Sequence, residues 1–164
     1  MYFWNINALK EDIKQGDFTD KQVISYIVLS LFLYSIGLEF VYRFPIEESS
    51  YNLWDGIDSI LSIVVPIAGT LYAYRMNGGA AGKDFANKYF SIGFVLGVRF
   101  LVYLVIMMIV LGIYWSIETQ DEEVQTTVVD IAVFYLWYIL YFYQLGKHIS
   151  ETNTDMKSME EFQK

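Results

Sequence analysis

Apolar residues in this chain fall into four long blocks separated by short polar stretches. The longest, Tyr89 to Trp115, is broken by a single charge, Arg99, and carries a glycine pair, Gly93 and Gly97. About 20 apolar residues cross the hydrocarbon core of a bilayer, so a block of this kind predicts a membrane-spanning helix. The pattern predicts spans over roughly 23–44, 57–76, 89–115 and 126–145. The expected architecture is all-α: one membrane domain over 1–164, a four-transmembrane-helix bundle. A short cytoplasmic interfacial amphipathic helix precedes it, and a polar cytoplasmic tail, 146–164, follows.

In the first segment Tyr2, Phe3, Ile6, Leu9 and Ile13 recur at helical spacing, with Asn5, Asn7, Lys10, Glu11 and Lys14 elsewhere around the wheel. Two placements fit that pattern. The helix can lie in the membrane surface with Trp4 at headgroup depth, or it can pack on the protein's own bundle. Gly16 breaks it. The run Thr19-Asp20-Lys21-Gln22 then matches a capping box, so the first span is expected to start there. Polar residues fill 10–22, which predicts a retained anchor rather than a cleavable signal.

The polar residues inside or beside the blocks carry most of the information. The apolar part of the first span, 23–38, rises only about 24 Å against a core of about 30 Å, so Glu39 is expected within the membrane. Residues 131–145 rise about 22 Å, which draws Asp130 into or very near the hydrocarbon. Asp55 is expected to cap the second span, with Asp58 in its first turn, where the helix dipole favours an anion. Pro66 falls mid-span, where a lost backbone bond bends a membrane helix at tolerable cost. The Gly93 and Gly97 pair permits close approach of another helix, from the same chain or a second copy.

Between the second and third spans lie Gly78, Gly79, Gly82 and Lys83. The spacing from Gly78 to Lys83 is one residue too short for a phosphate-binding loop, and Asp84 stands where Ser or Thr must hold the metal. A flexible turn with Asp84 capping the third span is the better reading.

Composition and charge sharpen this picture. At 55% hydrophobic and 18% aromatic, the 164-residue chain has the composition of a polytopic membrane protein. It contains no cysteine, which excludes disulfides, thiolate metal sites and cysteine nucleophiles. The net charge of −8 is unevenly spread. Lys10, Lys14, Lys21, Arg75, Lys83, Lys88, Lys147, Lys157 and Lys164 fall on one side of the predicted topology, and only Arg43 at the opposite rim. The positive-inside rule then predicts two cytoplasmic termini, with short acidic loops, Glu47-Glu48 and Glu118 with 121–123, on the outside. The size and short loops suit a bacterial inner membrane.

Charges inside a membrane are functional candidates by default. In a simple up-down bundle the first and last helices are neighbours, which brings Glu39 and Asp130 to comparable depth in the outer half. Arg99 lies on the inner side, about 13 Å away along the normal, near the limit of a direct pair with Glu39. Arg99 snorkelling to the cytoplasmic headgroups, a structural ion pair, and a conduction role are the three readings of this set. The fourth span is crowded with Phe134, Tyr135, Trp137, Tyr138, Tyr141, Phe142 and Tyr143, which form packing and interfacial belts or else a flat-ring site. Tyr135 and Tyr138 are too deep for the belt, so their hydroxyls need partners. His148, the single histidine, has no metal partners in sequence, and no zinc, serine-elbow or haem signature is present.

Trp54-Asp55, Gly69, Arg75 and Gly78-Gly79 resemble the small four-span membrane subunit of tripartite transporters that use a periplasmic binding protein. The resemblance covers the second span and its loop and lacks a histidine after Gly79. In size and topology the chain is also similar to immunity proteins against pore-forming bacteriocins. The function expected from the residues is a non-enzymatic binding or accessory module for another membrane protein or ligand. The alternative is a homo-oligomeric channel or transporter whose pathway is lined by the intramembrane charges. No cofactor, metal or nucleic-acid partner is expected; the bilayer and a second membrane protein or a second copy are.

Overall fold

The structure, a computed structural model, describes residues 1–43, 52–118 and 126–153. These form five helices: α1 (Ile6–Gln15), α2 (Asp20–Arg43), α3 (Leu53–Met76), α4 (Phe85–Glu118) and α5 (Val128–Glu151), with a 3₁₀ turn at Gly79–Ala81 between α3 and α4. Four of them contain stretches long and apolar enough to cross a membrane: Asp20–Glu39, Leu53–Met76, Phe85–Val110 and Val128–Glu151. The four-helix membrane bundle read from the hydropathy pattern is the architecture observed. Both expected acidic loops, apart from the backbone of Glu118, and the Met156, Met159 and Phe162 stripe of the tail lie outside the described residues.

The helix starts are set by local side-chain chemistry. At α1 the Asn5 side chain accepts the Ala8 N–H, so the helix begins at Ile6 rather than at residue 2. At α2 the Gln22 side chain takes the Thr19 N–H at 2.8 Å, one half of the anticipated box, while the Thr19 hydroxyl donates to Gln22 Oε1 instead of accepting the backbone N–H. Asp55 is not the cap of α3. Asn52 is, with its side-chain oxygen on the N–H groups of Trp54 and Asp55, while Asp55 returns a bond to the Asn52 N–H in a reciprocal capping box. Asp84 immediately precedes α4 at a φ of 55°, and its carbonyl accepts the Lys88 N–H. The α3–α4 turn needs glycine at position 82, where a Cβ would collide with the carbonyl of Asn77.

The first and last spans, α2 and α5, share no extended contact among the described residues. Extended contacts run from α2 to α4, from α4 to α5 and from α5 to α3, with α1 against α4, so the order across the molecule is α2, α4, α5, α3. The closest packing is between α3 and α5. A Cβ on Gly69 would fall inside the Phe142 ring, and one on Gly146 would strike Tyr72 and Met76. Small residues on both helices thus let the backbones approach, which is how helices gain dispersion energy in lipid. The Gly93 and Gly97 pair is used unequally. Gly93 faces the Tyr141 hydroxyl on α5, whereas the space over Gly97 is open.

The core lies at one end of the bundle. We call proximal the side that carries the N-terminus, the α3–α4 turn and the end of α5. Ile6 and Leu9 of α1, Tyr26 of α2, Ala73 of α3, Ile92 and Val95 of α4, and Leu145 and Ile149 of α5 are all buried in one cluster there. The amphipathic stripe of α1 therefore packs on the bundle, the second of its two placements, although Phe3 and Trp4 remain about half exposed. Toward the distal side the packing thins. Every residue from Leu31 to Glu39 is exposed, and between Leu101 and Val110 only Leu104 and Met107 are partly covered.

Candidate functional site

Arg99, read from sequence as the charge at the heart of the longest block, lies where α4 meets the chain leading into α1. Its Nε donates to the Trp4 carbonyl at 3.0 Å, its Nη2 donates to the same oxygen, and the guanidinium sits 5.4 Å from the centre of the Trp4 ring. The side chain is thus drawn toward the proximal side, the direction that snorkelling requires. A direct Arg99–Glu39 pair is not what forms. Among the described residues Arg99 is within ion-pair distance of no carboxylate.

Beside Arg99 a groove of about 580 Å³ runs between α4 and α5. Its lining combines polar Arg99, Gln144 and His148 with apolar Phe100, Ile106 and Trp137. Behind His148 lies a small polar cluster. Lys10 Nζ is 2.5 Å from Glu151 Oε2, and His148 Nδ1 is 3.3 Å from the same oxygen and 3.4 Å from Lys10 Nζ. This cluster ties α1 to the end of α5. His148 is therefore not the isolated group its sequence context suggested, and no group of three metal-binding side chains is present among the described residues.

Asp130 and Glu39 are not brought together along an extended contact, because α4 stands between the helices that carry them. Asp130 accepts the Thr127 N–H at 2.9 Å and the Thr127 hydroxyl at 2.7 Å, closing the capping box that starts α5. That role follows from Thr127-x-x-Asp130, a spacing legible in the chain. Glu39 is on the exposed face of α2.

The Tyr135 hydroxyl does find an acidic partner, on α3. It lies 2.8 Å from the Asp58 carbonyl and 2.9 Å from Asp58 Oδ1. Tyr138 lies beside it, ring centres 6.3 Å apart, and both border a smaller hollow of about 200 Å³ with Asp58, Ser62, Pro66 and Phe134. The rest of the aromatic set mostly packs: Phe100 of α4 meets Trp137 and Tyr141 edge-on, and Phe142 covers Gly69. Asp55 also reaches across, accepting the Thr126 hydroxyl at 2.5 Å, and the Asn52 amide donates to the Thr126 carbonyl at 3.0 Å, so polar links from Asn52, Asp55 and Asp58 join the distal ends of α3 and α5.

A second polar centre escaped the sequence reading. Lys88 is 3% exposed, with its ammonium on the side-chain oxygens of Asn77 and Asn153. Those residues sit at the C-terminal ends of α3 and α5, whose cap positions are Asn77 and Thr152. The negative ends of two helix dipoles therefore face the buried cation, which helps compensate a charge with no carboxylate within ion-pair distance among the described residues. Next to it the Ser91 hydroxyl is buried with no hydrogen-bond partner among the described residues. A lysine four residues into an apolar helix could have flagged the site; the two asparagines could not, because they are far apart in the chain.

No family model, curated protein or solved structure matches this chain.

Proposed function

We propose that this protein is a non-enzymatic module of a bacterial inner membrane, with cytoplasmic termini, that binds another integral membrane protein through its distal half. The observation that carries the reading is the contrast along α2. Its proximal part is anchored by buried Val23 and Tyr26, whereas 31–39 are exposed without exception. In lipid, helix association is driven largely by close packing, and this stretch carries Gly37 among exposed apolar residues. The acidic character expected of the outer loops would add charge recognition at the same end. Lys10, Lys14, Lys21, Arg75, Lys83 and Lys147 gather at the proximal side, which supports cytoplasmic termini.

The open space over Gly97 favours a second reading, a homo-oligomer in which a copy's helix takes that position. Such an assembly could conduct along its subunit boundaries past Glu39 and Asp130. One experiment separates the two. A photoreactive side chain placed at Tyr34 or Leu38, with Ile60 on α3 as control, is activated in native membranes and the adducts are identified by mass. One dominant adduct with a different membrane protein, absent from the Ile60 control, supports the module. A ladder of self-adducts supports the oligomer, and monomer alone removes both.

A further inference from the structure

The groove between α4 and α5 has the dimensions and polarity of a site for a single lipid. From His148 to Trp137 the α5 wall extends about 16 Å, close to one leaflet's half of a core of about 30 Å. Its proximal end carries the Arg99 guanidinium, with Gln144 and His148 alongside. Phe100 and Trp137 line the groove beside Arg99 and Ile106 lies two turns further along α4, and it is open sideways, where Tyr103, Ile106 and Leu140 are exposed. A cation drawn proximally by the Trp4 carbonyl, beside an apolar trough open to lipid, is complementary to an anionic head on an acyl chain.

The charge at that end is not already spent. Arg99 gives two of its donors to one neutral carbonyl, that of Trp4, and has no carboxylate within ion-pair distance among the described residues. Guanidinium presents five N–H donors in a planar fork suited to phosphate oxygens. Lys10, behind His148, adds a second positive charge, offset by Glu151. Among the described residues that line or adjoin the groove mouth, the balance is therefore positive by the Arg99 guanidinium, which has no carboxylate within ion-pair distance. That selects for net negative lipid rather than for a zwitterion.

We propose that this groove is a specific site for an anionic phospholipid of the proximal leaflet, its phosphate on Arg99 and one acyl chain along Phe100, Ile106 and Trp137. The proposal is independent of the partner-binding face on α2. It also gives the Trp4 contact a purpose: by fixing the guanidinium between its ring and carbonyl, the N-terminal segment holds the headgroup site open toward the groove.

The test uses the full chain in phosphatidylcholine vesicles containing phosphatidylglycerol with a diazirine near the end of one acyl chain. Irradiation followed by peptide mapping is expected to concentrate adducts in 100–107 and 137–140. Unlabelled phosphatidylglycerol is expected to compete about fivefold better than phosphatidylcholine, the discrimination one basic residue supplies near an anionic lipid. In R99Q, checked for retained helicity in the same vesicles, that preference is expected to vanish. Adducts spread over all exposed apolar faces, including 31–39, would overturn the site even if R99Q does not fold. So would equal competition by the two lipids in the wild type, or an unchanged preference in folded R99Q.

Discussion

Lys88 Nζ lies 2.6 Å from Asn153 Oδ1, joining the start of α4 to the end of α5 in the buried proximal core. Asn77, at the end of α3, supplies a second oxygen at 3.2 Å, so one side chain holds three helix ends. Replacing the lysine by methionine keeps most of its volume but strands the Asn153 oxygen and leaves Asn77 Oδ1 with only the 3.4 Å bond from the Asn153 amide. K88M is expected to lower stability by about 2 kcal/mol, the range for hydrogen bonds to charged groups. N153A, which leaves the ammonium half-satisfied, is expected to be at least as damaging. Reversible unfolding in mixed detergent micelles, followed by near-ultraviolet circular dichroism, measures both. A K88M protein as stable as wild type would remove the clamp.

The glycines divide into those the packing needs and those it does not. G69V and G146V each drive a branched side chain into an aromatic ring across the α3–α5 contact, and each is expected to cost 1–3 kcal/mol or more by overpacking. G97A meets open space and lies within a helix, so it is expected to be neutral or to stabilise by up to about 1 kcal/mol. The same unfolding assay ranks the three. If G97A proved the most damaging, the open face over Gly97 would have to be filled by a partner helix.

The Tyr135–Asp58 link predicts a measurable coupling across the distal half. Interhelical hydrogen bonds in membranes average about 0.6 kcal/mol and reach about 1.7. A double-mutant cycle of Y135F and D58N is expected to return a coupling in that interval. Since the Asp58 carbonyl also contacts the hydroxyl, Y135F alone is expected to lose more than D58N alone. Additive effects of the two changes would show that the carboxylate contributes nothing.

At the N-terminus the Tyr2 hydroxyl donates to Asp12 at 2.9 Å. That hydrogen bond to a carboxylate holds the phenol's pKa above the ordinary tyrosine value of 10.0. The folded state therefore favours the protonated ring. Its contribution is fully present below the unfolded value and is lost as pH rises through the higher folded value. D12N is expected to return Tyr2 toward ordinary titration, read by tyrosine-ring carbon NMR with Y2F as the assignment control. An unchanged titration in D12N would overturn the account.

Much of the architecture was legible in the chain because membranes impose a local rule. Backbone groups in hydrocarbon must be satisfied within the segment, so a long apolar block is a helix whatever surrounds it. Capping residues at block edges then locate the starts, as Thr19 with Gln22 does for α2, although Asp130, expected within the hydrocarbon, proved to be part of the same kind of cap for α5. The rule also explains the errors: Asp55 and Asn52 are both competent caps three residues apart, and pattern alone does not choose between them. The need for a hydroxyl partner at Tyr135 was readable too, while its identity, Asp58, was not.

Neighbour choice belongs to the tertiary structure. In water, a helix declares its buried face by a contrast between apolar and polar sides, but in lipid both sides of a span are apolar. The long block of α4 is apolar all round, and nothing in it announces that 91–96 would be buried and 101–110 largely exposed. Shape decided instead. Gly69, Ala73 and Gly146 let α3 and α5 close on each other, leaving α4 between α2 and α5 and keeping Glu39 apart from Asp130. Arg99 likewise took a backbone carbonyl of the N-terminal segment, because once α1 buried Ile6 and Leu9, that oxygen was within reach of the guanidinium.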